Sequence, residues 1–261
     1  MDRRGWTVIA LVVLVVTAGC AGFASDDETA DRATSTVTAT PPATPTPTAA
    51  AVEAVGFPPG WTSTSVNASV ARKAHYTAVL TGPSTTVTYR SEVIESSGVP
   101  RRNTTLDMRL DPEDRRLYAS IDGKTNHRAV FFNDGTLSQW DVRNETLVGR
   151  SNARFEGVAQ SIDRGVLYSH LLLYDIEFER TVRRQGRTAL VYDVTDTYNR
   201  TISNTYGTAT DATGHVVVAA DGRVLEIETT VTYSKGTLRY RYTHRRLGET
   251  DVTRPGWLRD T

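Results

Sequence analysis

Cys20 is the one cysteine in a chain of 261 residues. It follows Thr17-Ala18-Gly19, which closes an unbroken apolar run from Val8 to Val16, and Arg3 and Arg4 precede that run. A positive start, an apolar core and small residues before a cut point are the three parts of a secretory signal. Ala18 and Gly19 give a signal peptidase access to the backbone directly before Cys20. A single thiol also forbids any disulfide within one chain, so the fold must be held by its core alone.

The second chemistry the spacing offers is modification. Asn67-Ala-Ser69, Asn103-Thr-Thr105, Asn144-Glu-Thr146 and Asn199-Arg-Thr201 are acceptor sequons without a central proline, all competent for N-glycosylation. Catalytic patterns are missing from the sequence. There is no Gly-x-Ser-x-Gly elbow, Gly-rich phosphate loop, Cys-x-x-Cys or His-Glu-x-x-His. The five histidines (His75, His127, His170, His215, His244) show no metal-ligand spacing. No catalytic residue, cofactor or metal is expected, although a Ser-His-Asp set is geometric and leaves no mark on sequence.

The stretch Trp6 to Gly19 is fourteen residues, short of the ~20 that a membrane-spanning helix needs. With Cys20 behind it, the stretch resembles the lipobox of exported lipoproteins, with Thr17 standing where Leu or Val is usual. That resemblance implies a diacylglycerol-type lipid on the Cys20 sulfur and a new N-terminus there. Two acyl chains give stable anchoring where one is marginal. Asp2-Arg3-Arg4-Gly5-Trp6 also looks like a twin-arginine signal. The organisation expected is a signal peptide over 1–19, a lipidated cysteine and tether over 20–55, and one domain over 56–261. The address is the extracytoplasmic face of the cell membrane.

The tether opens on Asp26, Asp27, Glu28 and Asp31 and then turns to Ala, Thr and Pro. Such a composition buries too little to offset the entropy of ordering. Pro41, Pro42, Pro45 and Pro47 bias it toward polyproline II, reaching ~3.1 Å per residue. Over the whole chain 30 basic residues balance 30 acidic ones. That leaves no global field for nucleic acid, so none is expected as a partner.

The domain reads as mainly β with two helices. Pro58 and Pro59 forbid helix in Gly56-Phe-Pro-Pro-Gly60. A helix is predicted from about Ser69 to Leu80, capped by Asn67 or Ser69, stopped by Gly82-Pro83, with Val70, Ala74, Thr77 and Ala78 on one face. Strands follow over Thr85–Ser96, Asn103–Leu110, Leu117–Ile121, Ala129–Phe132 and Leu137–Val142, joined by Asp111-Pro-Glu-Asp114, Asp122-Gly123 and Asn133-Asp-Gly135 turns. After Asn152 the period lengthens. Phe155, Val158, Ala159, Ile162, Val166 and Leu173 predict a second amphipathic helix to Tyr174, with His170 near its end placed to meet the helix dipole.

Strands return over Ile176–Val182, Ala189–Thr197, His215–Ala220, Val224–Tyr233 and Thr237–Leu247, with Gly214 among the separators. In the last hairpin Leu225, Ile227, Thr229, Val231 and Tyr233 are expected to share a face with Leu238, Tyr240 and Tyr242. Pairing Tyr233 with Leu238 across an even loop preserves that face, whereas odd register would bury Arg239. The opposite face then sets Glu226 and Glu228 near Arg241 and Arg245 as surface pairs.

The twin-arginine lipobox start, the Thr/Pro stalk, Gly56-Phe-Pro-Pro-Gly60, the Ala74-His75 helix, the paired meanders and the closing Arg254-Pro-Gly-Trp257 resemble haloarchaeal-type surface lipoproteins of unassigned function. The order helix, meander, helix, meander is similar to the lipoprotein-carrier fold, a curled antiparallel half-barrel with helices across its concave face. This resemblance implies a non-enzymatic carrier of a lipid or other apolar ligand. Small residues on the helix faces (Ala74, Ala78, Gly157, Ala159, Gly165) would leave room above the sheet. The rival readings are an envelope interaction module with a filled core, and an extracellular hydrolase with a geometric triad.

Overall fold

The computed structural model describes residues 56–123, 126–198 and 203–258. The signal, Cys20, the tether and Asn199 lie outside the described residues. Helix α1 (Ala68–Leu80) leads into strands β1 (Thr85–Ser96), β2 (Thr104–Asp111), β3 (Arg116–Asp122), β4 (His127–Asn133), β5 (Thr136–Asp141) and β6 (Thr146–Asn152). Helix α2 (Phe155–Leu173) leads into β7 (Tyr174–Arg184), β8 (Arg187–Thr197), β9 (Ser203–Asn204), β10 (Gly207–Ala219), β11 (Val224–Tyr233) and β12 (Gly236–Arg245). All twelve strands join one antiparallel sheet in the order β6-β5-β4-β3-β2-β1-β12-β11-β10-β8-β7, with β9 on β10. The first strand meets the last, so two helix-plus-meander halves share one seam. The sheet stays open and curls, with β6 and β7 as its edges, and both helices fill the concave face as the sequence predicts.

Local chemistry fixes most boundaries. The Asn67 side-chain oxygen accepts the Val70 N–H at 3.2 Å and starts α1. Asp134-Gly135 and Gln185-Gly186 take positive φ at both central positions of two-residue hairpin loops, the geometry that matches strand twist. The closing hairpin keeps the expected even parity, with Tyr233 paired two residues before its expected partner Leu238. Tyr233 faces Gly236 and Val231 faces Leu238 across Ser234-Lys235, and Arg241 pairs with Glu228 directly opposite at 2.9 Å.

The structure corrects four expectations. Helix α1 buries Ala68, Ala71, His75, Tyr76, Ala78 and Val79, leaving Val70 exposed. The predicted face was rotated because small residues and a histidine, not the larger Val70, let this helix approach the sheet. Gly214 does not separate strands but lies inside β10 at φ +133, where a Cβ would meet the Glu228 carbonyl oxygen at 2.1 Å. A bulge between Val217 and Val218 makes Val224 the inward residue and turns Leu225 to the outer face. Strand β6 was missed because it is exposed along most of its length, leaving no apolar alternation to read.

The C-terminal segment crosses the outer face of the first meander. Val252 and Leu258 cover Phe131, and Trp257 stacks on Trp140 with centroids 5.4 Å apart.

Candidate functional site

Under the C-terminal half of α2 lies a run of neutral aromatic groups. The pleat brings Tyr89 of β1, Thr229 and Tyr233 of β11, and Tyr240 of β12 to the concave face. The Tyr89 and Tyr240 rings stack with centroids 6.4 Å apart and 17° between planes. His170 reaches down from α2 and meets the Tyr240 ring edge-to-face at 4.7 Å. Its Nδ1 pairs with the Tyr174 hydroxyl at 2.6 Å, which pairs in turn with Thr229 Oγ1 at 2.6 Å. The Tyr233 and Tyr240 hydroxyls pair at 3.0 Å.

Burial sets the charge of this group. Desolvation lowers the His170 pKa to about 4 and pushes the Tyr174 and Tyr240 phenols well above their ordinary range. Tyr89 rises for the same reason. Burial thus favours the uncharged form of each of these groups.

Between this floor and α2 opens a cleft of about 340 Å³. Its apolar walls include Tyr89, Leu238, Tyr240, Ile162 and Val166. Ser161, Gly165 and Ser169 line its helix side, and Arg102 and Asn204 stand at the loops beside it. Tyr206 forms another wall. Its hydroxyl donates to the Pro100 carbonyl at 3.2 Å and accepts the Arg102 N–H at 3.2 Å, fastening the two loops together. Ligand sites run from roughly 300 to 1,000 Å³, so the cleft suits one chain or ring system.

A second buried polar chain holds α1. His75 Nδ1 accepts the Val224 N–H at 3.1 Å, which puts the His75 proton on Nε2, facing the Tyr242 hydroxyl at 3.4 Å. Tyr242 then donates to His244 Nε2 at 3.0 Å. His244 Nδ1–H donates to Thr85 at 3.3 Å, and Thr85 donates to the Arg245 carbonyl at 3.2 Å. These tautomers are assigned from the network. Burial first, and the Arg223 charge second, lower the His75 pKa to about 3. His244 falls well below its usual value through burial, then His75 and Arg223. Arg223 is itself fully buried and donates Nη2 to the Ala78 carbonyl at the end of α1.

Both buried clusters join histidine to phenol and threonine hydroxyls. They can position, pack and exclude charge. The stretch Tyr240 to His244 turns Tyr240, Tyr242 and His244 into the covered face, so no aromatic platform is open there for bases.

The sequence matches a family of unknown function, DUF7537, over residues 6–261. The chain belongs to that family. No curated protein matches it in sequence. Among solved structures, LprF from Mycobacterium bovis aligns at 13% identity over 74% of this chain and 99% of its own, with TM-score 0.36. The lipoprotein LppX from Mycobacterium tuberculosis aligns at 13% identity, covering 70% and 96%, with TM-score 0.33. A LolA superfamily protein from Nitrosomonas europaea aligns at 10% identity, covering 72% and 96%, with TM-score 0.26. Scores this low transfer nothing from those proteins to this family member.

The residues singled out in the sequence scatter over the fold. Asn67, Asn103 and Asn144 are exposed and far apart in the topology. Asn67 caps α1, Asn103 accepts the Val93 N–H at 3.1 Å, and Asn144 donates to Asp141 at 3.0 Å. Of the small residues expected to leave room, Gly165 lines the cleft, Ala159 is buried in the core and Gly157 faces open space. Ala74 instead gives space to Gly222, and Ala78 to Arg223. Ser161, Ser169 and Tyr206 were not anticipated, because nothing in their spacing marks them. The one available signal was the inward set Leu238, Tyr240 and Tyr242.

Proposed function

We propose that this chain is an exported, lipid-anchored, non-enzymatic carrier that holds one apolar or amphipathic molecule in the cleft beneath α2. The observation that supports this reading best is the uncharged tyrosine floor under an open cleft, whose other polar lining includes the hydroxyls of Ser91, Thr104, Ser161 and Ser169 with Arg102 and Asn204 at its side. A floor whose phenols and histidine resist ionisation favours an uncharged hydrocarbon or ring and penalises a buried charge. Polar groups at the loops suit the polar end of an amphiphile. In this reading Cys20 carries the anchor, residues 20–55 lift the domain from the extracytoplasmic membrane face, and Asn67, Asn103, Asn144 and Asn199 are available to glycosylation. No helix among the described residues is long and apolar enough to cross a membrane.

The test is a titration of the full-length protein with a fluorescent fatty acid analogue, set against Ser161→Trp. Ser161 is exposed on α2 and lines the cleft, so an indole there blocks it without entering the core. Saturable one-to-one binding that the variant loses supports the carrier. Equal binding by both proteins refutes the cleft as the site.

A second reading has its own support. The core is a continuous cluster linking both helices to the sheet. That filled interior favours a tethered interaction module, which is the result a probe titration without binding would select.

A further inference from the structure

On the outer face of the sheet, away from both helices, the fold gathers three ligating side chains that lie apart in sequence. His215 of β10 stands directly opposite Glu228 of β11, and Glu226 precedes Glu228 by one pleat period on the same face. Inward neighbours Val216, Ile227 and Thr229 are buried in the core, so these three must point out. All are half-buried, and their ligand atoms lie within 4.8 Å of one another, the one such trio among the described residues.

We propose that His215, Glu226 and Glu228 bind one divalent transition-metal ion of the zinc type. His215 Nε2 and Glu226 Oε1 are 3.3 Å apart. That is long for a hydrogen bond to a carboxylate. It matches the ligand-to-ligand edge of about 3.3 Å that tetrahedral geometry gives for bonds of ~2.0–2.2 Å. One imidazole and two carboxylates suit zinc and its neighbours rather than calcium or magnesium, which prefer all-oxygen sets. Water completes four-coordination.

Two arginines oppose the ion. Arg241 pairs with Glu228 at 2.9 Å, and Arg184 lies 4.0 Å from Glu226. Both guanidiniums are more than half exposed, so both can swing into solvent when a metal takes the carboxylates. Alternation along β11 already puts Glu226 and Glu228 on one outer face, and His215 joins them only through the β10–β11 register.

The experiment is isothermal titration of the full-length protein with zinc chloride. The expected result is one saturable equivalent, weakened by more than about tenfold in His215→Ala and in Glu226→Gln, given that even outer-shell partners cost ~10–100-fold. Arg241→Gln, which removes a competitor, is expected to tighten binding. His215 is half-exposed on the outer face, so its truncation leaves the core intact. Absence of saturable binding would overturn the site, as would His215→Ala binding zinc like the parent protein.

Discussion

His75 accepts the Val224 N–H at 3.1 Å, fastening α1 to the start of β11 across 149 residues of sequence. Replacing His75 by Ala strands that buried amide and leaves a void above Tyr242. A loss of about 3 kcal/mol is expected, combining an unmade buried hydrogen bond with a cavity. Urea unfolding followed by circular dichroism reads it directly, and a change within about 0.5 kcal/mol would remove the latch from the account.

The same histidines make stability depend on acidity. His75, His170 and His244 have folded pKa values below the unfolded value of 6.5. The unfolded chain therefore binds more protons from that value down to about 4 for His170 and about 3 for His75, with His244 acting in the same direction, so their contribution is full above 6.5 and is lost as pH drops. Each proton contributes at most about 1.4 kcal/mol per pH unit, hence about 4 for three. The thermal midpoint is expected to fall steeply between pH 6.5 and 4.5. A flat profile there contradicts three buried neutral histidines.

Gly214 tests how the sheet bends. Its φ of +133 and the Glu228 carbonyl only 2.1 Å from a built Cβ leave no space for a side chain. Gly214→Ala is expected to cost more than about 2 kcal/mol, through backbone strain and displacement of β11. Unchanged urea midpoints would contradict this close approach of β11 to Gly214.

Cap and sequon share Asn67 and can be separated. Asn67→Ala removes both, whereas Ser69→Ala removes only the sequon. The first is expected to lose about 1 kcal/mol and the second close to none. If the chain carries sugar at Asn67, both variants lose the same glycan mass. Equal stability losses would contradict the capping role.

Much of this fold was legible because it rests on short-range rules. Alternation at Leu106, Met108 and Leu110, the turn Asn133-Asp134-Gly135 and the long apolar period after Phe155 each specify their element locally. Strand alternation specifies the face that Val231 and Leu238 share, although the loop falls at Ser234-Lys235. Leu225 escaped because a bulge resets alternation without a sequence mark. Strand β6 escaped because it is exposed along most of its length, with Leu147 its apolar contact to the Phe131 cluster. The α1 face escaped because its contacts are decided by close approach at Ala71 and by the buried pairing of His75. The cleft was legible only in outline. A helix across a curled sheet implies a space, but its size follows from how α2 sits on Tyr89 and Tyr240, and no local pattern encodes that. The His215 trio is the extreme case, since register alone brings His215 to the two glutamates.

The most direct test of the central claim is native mass spectrometry of the full-length protein extracted from its own host's membranes in mild detergent, parent beside Ser161→Trp. The account predicts one non-covalent adduct per parent chain, absent from the variant and released into organic solvent on denaturation. A bare parent chain, or the same adduct on both proteins, would contradict a ligand in the cleft beneath α2.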